Sequence, residues 1–159
     1  RVLETILRYE YLWTKIRIQG GAYGATARFD SNGLGIFASY RDPKLAESFQ
    51  AYYDLPAWLE KEEFSARELD KYVIGTISGM DTPLTNTMRL DTVTTSWLKN
   101  ITDEHRQKSR NEVLDVTNED LQALAPVIRD MLSDGYVCVV GGKQPIEANA
   151  ERFNKIINA

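Results

Sequence analysis

Arg17-Ile18-Gln19-Gly20-Gly21-Ala22-Tyr23-Gly24 is the joint on which this chain turns. Before it, Val2, Leu3, Ile6 and Leu7 share one helical face, and the spacing predicts a helix from Val2 to about Lys15, stopped by Gly20-Gly21. After it, Tyr23 to Asp30 and Leu34 to Tyr40 read as two strands, with Ser31-Asn32-Gly33 as the hairpin turn between them. Three glycines and one aromatic in so short a span are more than a plain connector needs. Glycine lets a backbone turn sharply or lie close to another chain. Arg17 and Tyr23 set a fixed charge and a phenol beside that bare backbone, as at a place where something extended is held. On spacing alone the blander reading, a surface arginine at a helix end and a tyrosine packed at a strand start, is the favoured one.

Downstream the pattern is mostly helical. Arg41-Asp42-Pro43 breaks the second strand, and Asp42 is placed to cap a helix carrying Leu45, Phe49, Tyr52 and Tyr53 as far as Leu55-Pro56. Ser65-Ala66-Arg67-Glu68 is a capping box opening a helix through Tyr72, Val73 and Ile77, interrupted by Gly79 and Asp81-Thr82-Pro83. Further helices are predicted from Leu84 to Leu98 and from Thr102 to near Leu114. Thr117 with Asp120 caps an amphipathic helix whose Leu121, Leu124, Ile128, Met131 and Leu132 share a face. Tyr136 to Val140 reads as a short apolar strand closed by Gly141-Gly142, and Ile146, Ala150, Phe153 and Ile157 mark a last helix. No Pro/Gly/Ser linker or internal repeat divides the chain. The fold class is α+β: one domain over residues 1–159, with a hairpin and a late third strand forming an antiparallel sheet packed with several helices. Three strands make a poor independent sheet. The chain opens on Arg1 with helical phase already established, as expected of a piece of a longer polypeptide.

Composition narrows the function. The 159 residues carry a net charge of −4, with no Lys/Arg cluster of the kind a nucleic-acid binder presents. No apolar run approaches the ~20 residues needed to span a membrane, and no signal peptide opens the chain. The single Cys138 excludes an internal disulfide and suits a reducing, cytoplasmic setting.

Most catalytic constellations are absent. There is no G-x-S-x-G elbow, no P-loop and no C-x-x-C pair. Ile101-Thr102-Asp103-Glu104-His105 holds the Glu-His end of an inverted zinc motif, H-x-x-E-H, but Ile101 stands where the first histidine belongs. Its better reading is a helix start, with Thr102 as cap and Asp103 and Glu104 against the dipole. Cys138 reads as a small buried hydrophobe, and Gly141-Gly142 as a turn. Tyr52, Tyr53, Trp58 and Trp97 read as core or groove lining, and Glu60 to Glu63 as a solvated charge run.

The stretch Tyr11-Leu12-Trp13-Thr14-Lys15-Ile16-Arg17-Ile18-Gln19-Gly20-Gly21-Ala22-Tyr23-Gly24 resembles the C-terminal half of pitrilysin/insulinase-type zinc metallopeptidases, closest to the presequence protease and falcilysin branch. Ser39-Tyr40-Arg41-Asp42-Pro43 and Val73-Ile74-Gly75-Thr76-Ile77-Ser78, with Asp81 and Pro83, are similar to the same branch. Tyr136-Val137-Cys138-Val139-Val140-Gly141-Gly142 resembles its final strand. The Gly-Gly-Ala-Tyr-Gly element is the specific part. The resemblance implies a partial LuxS/MPP-like domain, the C-terminal non-zinc part of a clamshell peptidase that cleaves unstructured peptides, in some members within organelles. It implies zinc on an N-terminal half of the same polypeptide, none bound here, and no activity for this chain alone. It assigns substrate binding to Arg17 and Tyr23, framed by Gly20 and Gly21, with Tyr23 as a transition-state stabiliser. Extended peptides and the zinc-bearing half are then the partners, with no nucleic acid and no membrane. The alternative is a non-catalytic scaffold or peptide-binding module of the same fold. An unrelated helical interaction domain, without the hairpin, is a third reading.

Overall fold

The computed structural model describes residues 1–30 and 32–157. At its centre lies a helix over residues 2–19, longer than the expected stop near Lys15. Val2–Ile6 (α1) is α-helical, and Leu7–Tyr11 and Trp13–Gln19 wind more widely as π-helix, with the Leu12 N–H bonded to the Leu7 carbonyl. Ile6, Leu7, Leu12 and Ile16 are at most 1% exposed. Each such burial stabilises by about 1.5–3 kcal/mol, which is enough to hold an unusual helical winding in place.

Gly24–Phe29 (β1) and Gly35–Tyr40 (β2) pair antiparallel, with Ala25 opposite Ser39 and Ala27 opposite Phe37. Of the predicted turn, Ser31 lies outside the described residues. Gly33 takes φ +85°, and the Asn32 side-chain oxygen accepts the Leu34 N–H at 3.2 Å. The Phe29 N–H donates to the Glu4 carboxylate at 2.6 Å, fastening β1 to α1.

Leu45–Leu59 (α2) packs on the central helix, and its Tyr52 stacks on Phe37 of β2 with ring centres 5.4 Å apart. Asp42 does not cap it: its Oδ1 accepts the Lys44 N–H at 3.0 Å, forming a turn ahead of the helix. Nor does α2 stop at Leu55-Pro56. It runs through Pro56 because Leu55 and Leu59, at 0% and 1% exposure, are both anchored in the core. The buried Tyr11 hydroxyl donates to the Ala51 carbonyl at 2.6 Å and ties α2 to the central helix.

Ala66–Met80 (α3) opens on the expected Ser65–Glu68 capping box. Asn86–Leu98 (α4) is capped by Thr85, and Asp103–Leu114 (α5) by Thr102. The Thr5 and Thr76 hydroxyls, 2.8 Å apart, join α1 to α3, and Arg110 grips Asp81 through two bonds of 2.6 and 2.9 Å between α5 and the end of α3. That grip holds the Asp81 carboxyl below the ordinary carboxylate range.

The remaining predictions need correction. The helix capped by Thr117 and Asp120 is two pieces, Asn118–Gln122 (α6) and Ala125–Ser133 (α7), broken ahead of Pro126. Leu121, Ala125 and Ile128 are buried, but Leu124 falls at the break and is exposed. Tyr136 to Val140 forms no strand: it pairs with neither β1 nor β2, and Tyr136 and Val140 are fully exposed. Cys138 is consequently exposed, not buried. The last predicted helix shrinks to Lys143–Glu147 (α8) and a 3₁₀ turn at Ala150–Arg152, because neither packs a buried residue against the core. Tyr52 is buried and Trp58 packs on Tyr11 and Phe64, whereas Tyr53 and Trp97 are exposed. The architecture is α+β, mostly helical, with a two-stranded antiparallel sheet.

Candidate functional site

Gly20 and Gly21 end the central helix by two different means. The widened last turn brings the Ile16 carbonyl so near Gly20 that a Cβ there would stand 2.4 Å from its oxygen. Gly21 sits at φ +83°, a left-handed conformation that costs other residues. Its N–H reaches the Arg17 carbonyl at 3.0 Å, and the Ala22 N–H the Ile16 carbonyl at 3.1 Å, so the freed carbonyls of the helix end are satisfied. Gly24 differs: a Cβ there would meet nothing within 4 Å.

This closure throws Tyr23 back beside the last helical turn. The Arg17 guanidinium lies 4.3 Å from the centre of the Trp13 ring and 5.8 Å from that of Tyr23. Arg17 and Tyr23 are thus brought together by the fold. Tyr23 is 64% exposed, and among the described residues its hydroxyl has no hydrogen-bond partner. Arg17, also exposed, pairs with no carboxylate among the described residues. Both donors are therefore available to something outside this chain.

Sequence reasoning missed part of the cluster. Tyr40 stands edge-on to Tyr23 with ring centres 6.0 Å apart, and the Arg41 guanidinium lies 5.4 Å from the Tyr40 ring centre and 5.8 Å from that of Tyr23. The signal was present in Tyr40-Arg41-Asp42-Pro43, where a cation follows an aromatic at the end of the strand that pairs with β1. The Tyr23 N–H bonds to the Tyr40 and Arg41 carbonyls at 3.1 and 3.3 Å, so backbone as well as side chains lock the two ends of the hairpin together.

Tyr40 and Arg41 lead into a cavity of about 620 Å³ between β2, the start of α2 and Cys138 to Gly142. Its wall holds Asp42 Oδ2, Ser48 Oγ and Tyr52 Oη, buried and without partners among the described residues. Burial pushes the Tyr52 phenol up to about 12. A larger hollow of about 940 Å³ lies away from the joint, between Val2 and Val113, and none of the joint's residues lines it.

No three His, Cys, Asp or Glu side chains are grouped to hold a metal ion among the described residues. His105 sits at the start of α5, where its Nδ1 accepts the Thr102 N–H at 3.3 Å and its own N–H reaches the Thr102 hydroxyl at 3.3 Å. It is the reciprocal half of a cap. The described residues offer no grouped ligand set that would fit a zinc ion. No helix among the described residues is long and apolar enough to cross a membrane.

The described residues thus form an α+β domain that presents an arginine and a tyrosine on a glycine-framed joint, with hydrogen-bond donors and no grouped metal ligands. Comparison with known proteins makes the class specific. The family model described as the PreP C-terminal domain matches residues 1–143, and the chain belongs to that family. It is 38% identical over 98% of its length to Protein HypA of Clostridium perfringens, covering 16% of that protein. It is 32% identical over 91% of its length to Presequence protease 1, chloroplastic/mitochondrial, of Arabidopsis thaliana, covering 14%. To the mitochondrial presequence protease of Emericella nidulans it is 34% identical over 90% of its length, covering 13%. The chain thus spans about a seventh of the length of the curated relatives it matches.

Proposed function

We propose that this chain is the substrate-holding C-terminal domain of a zinc-dependent oligopeptidase that degrades unstructured peptides. The observation that carries the reading is the pairing of Arg17 and Tyr23, exposed and unpartnered among the described residues, on the Gly20-Gly21 joint. Membership of the PreP C-terminal domain family supports it, as does the much greater length of the relatives. Zinc would be held by the N-terminal half of the parent, where it would activate the attacking water. Two of the relatives carry names that place them in mitochondria or chloroplasts and the third is bacterial, so an organellar matrix or the cytoplasm would both suit this domain.

The chain's own residues would bind and orient. A peptide to be cut must lie extended with its carbonyls exposed. Arg17 offers up to five N–H donors in a planar fork, suited to a peptide carbonyl or carboxylate. Its stacking on Trp13 fixes the fork's direction in advance. The Tyr23 hydroxyl would donate to the scissile carbonyl as it becomes an oxyanion. Closure of the other half over the joint would exclude water and strengthen both contacts. The open space at Gly24 leaves room for the peptide to run past the hairpin.

The test uses the intact parent. Tyr23→Phe removes one hydroxyl and should lower kcat by ~100–1,000-fold, about 2.7–4 kcal/mol of transition-state stabilisation. Arg17→Ala should raise KM and lower kcat/KM. Both variants should keep the parental melting temperature, since neither group is buried. Unaltered kinetics in both would remove them from the site.

A further inference from the structure

We propose that Arg41 is a second substrate-reading cation, and that Arg17 and Arg41 together recognise a carboxylate on the bound peptide. The inference rests on the peptide-holding reading of the Arg17–Tyr23 joint and names what that site selects.

The first ground is backbone geometry. Arg41 stands at φ +48°, in the left-handed region. A residue with a Cβ is disfavoured there, whereas glycine adopts it freely. The other non-glycine residue at positive φ among the described residues is Asn100, a type that tolerates it. The turn itself is dictated locally. Asp42 precedes Pro43 and is biased towards extended backbone, so the reversal between β2 and α2 falls on the residue before it. Glycine would make that turn at lower cost. An arginine there points to use of its side chain.

The second ground is charge. The Arg17 and Arg41 guanidinium carbons each lie 5.8 Å from the centre of the Tyr23 ring, so the two cations share one aromatic neighbour. Neither pairs with a carboxylate among the described residues. Asp42, next in the chain, turns its Oδ1 to the Lys44 N–H and not to Arg41. A peptide carbonyl needs only one fork. Two cations without a carboxylate partner beside one phenol repel each other, and a carboxylate brought to that phenol relieves the repulsion.

A carboxylate can come from the peptide's free C-terminus or from an Asp or Glu side chain, and the test separates these. In the intact parent, kcat/KM is measured for one unstructured peptide with a free or an amidated C-terminus, and for the same peptide with Glu or Gln at each position flanking the cut. The expected result is a preference of at least tenfold for one carboxylate form, shrinking as salt is raised. Arg41→Gly removes the guanidinium and relieves the backbone, so its melting temperature should equal or exceed the parent's. The preference should fall to near unity in that variant, chiefly through KM, and be only partly kept in Arg41→Lys. No preference in the parent, or a preference left intact in Arg41→Gly, overturns the proposal. Loss of activity in Tyr23→Phe with an intact preference in Arg41→Gly would leave the peptide-holding reading standing and refute this one alone.

Discussion

Three glycines frame the joint, and the physics at each predicts a different response to a methyl group. At Gly20 the new Cβ would stand 2.4 Å from the Ile16 carbonyl oxygen, which belongs to the backbone of a buried helix and cannot swing aside. Gly20→Ala should cost about 1–3 kcal/mol, as overpacking does. At Gly21 the nearest atom is Pro43 Cγ at an ordinary 3.6 Å, but φ is +83°, so Gly21→Ala should cost about 1–2 kcal/mol through backbone strain alone. Gly24→Ala meets nothing and should stay within about 0.5 kcal/mol. Urea denaturation of the three variants checks the order. Equal costs at all three positions would mean that the joint is not closed as described. The sequence showed that glycines mattered here, but not which mattered for folding. That depends on π-helical winding of Trp13–Gln19, which the heptad-like apolar spacing does not reveal.

At the scale of elements, the contact between the central helix and α2 carries a pH signature. Burial raises the Tyr11 phenol to about 12 and that of Tyr52 to about 12. A folded-state value above the unfolded value of about 10 means a contribution that is fully present below pH ~10. It is lost as pH rises towards 12, because the unfolded chain releases its protons first. Stability should therefore fall between pH ~10 and ~12. Tyr11→Phe should shallow that slope, and at neutral pH should cost about 1 kcal/mol for the lost bond to the Ala51 carbonyl. Denaturation midpoints from pH 8 to 12 decide it; a slope unchanged by the substitution would place the alkaline sensitivity elsewhere. The elements themselves were largely legible. Ser65, Thr102 and Thr117 each cap a helix as the sequence indicates, because a cap is written within four consecutive residues. Tyr136 to Val140 was misread for the opposite reason. A strand needs a partner as well as apolar residues, and neither β1 nor β2 pairs with it.

For the whole molecule, the division between holding and cutting leads to the broadest prediction. Arg17 and Tyr23 are donors, able to bind a carbonyl and steady an oxyanion, but neither can take a proton from water at neutral pH. The one histidine, His105, is engaged with Thr102 in the cap of α5, and no metal-holding group exists among the described residues. The 159-residue chain should therefore cleave a fluorogenic, unstructured peptide no faster than buffer does, with or without added zinc, while the intact parent turns it over. Peptide cleavage by the purified chain that needs stoichiometric zinc and stops with chelator would refute this. If the chain instead binds the peptide without cutting it, and Arg17→Ala weakens that binding, holding is separable from chemistry. The half of the candidate site legible in the sequence was the Arg17–Tyr23 pair, set by a contiguous joint. Tyr40 and Arg41 stood out only as part of a resemblance and not as neighbours of Tyr23, because they reach it only when the hairpin closes and brings Gly24 opposite Tyr40. A site assembled across a strand register belongs to the fold, and its membership can be read only after the fold is known.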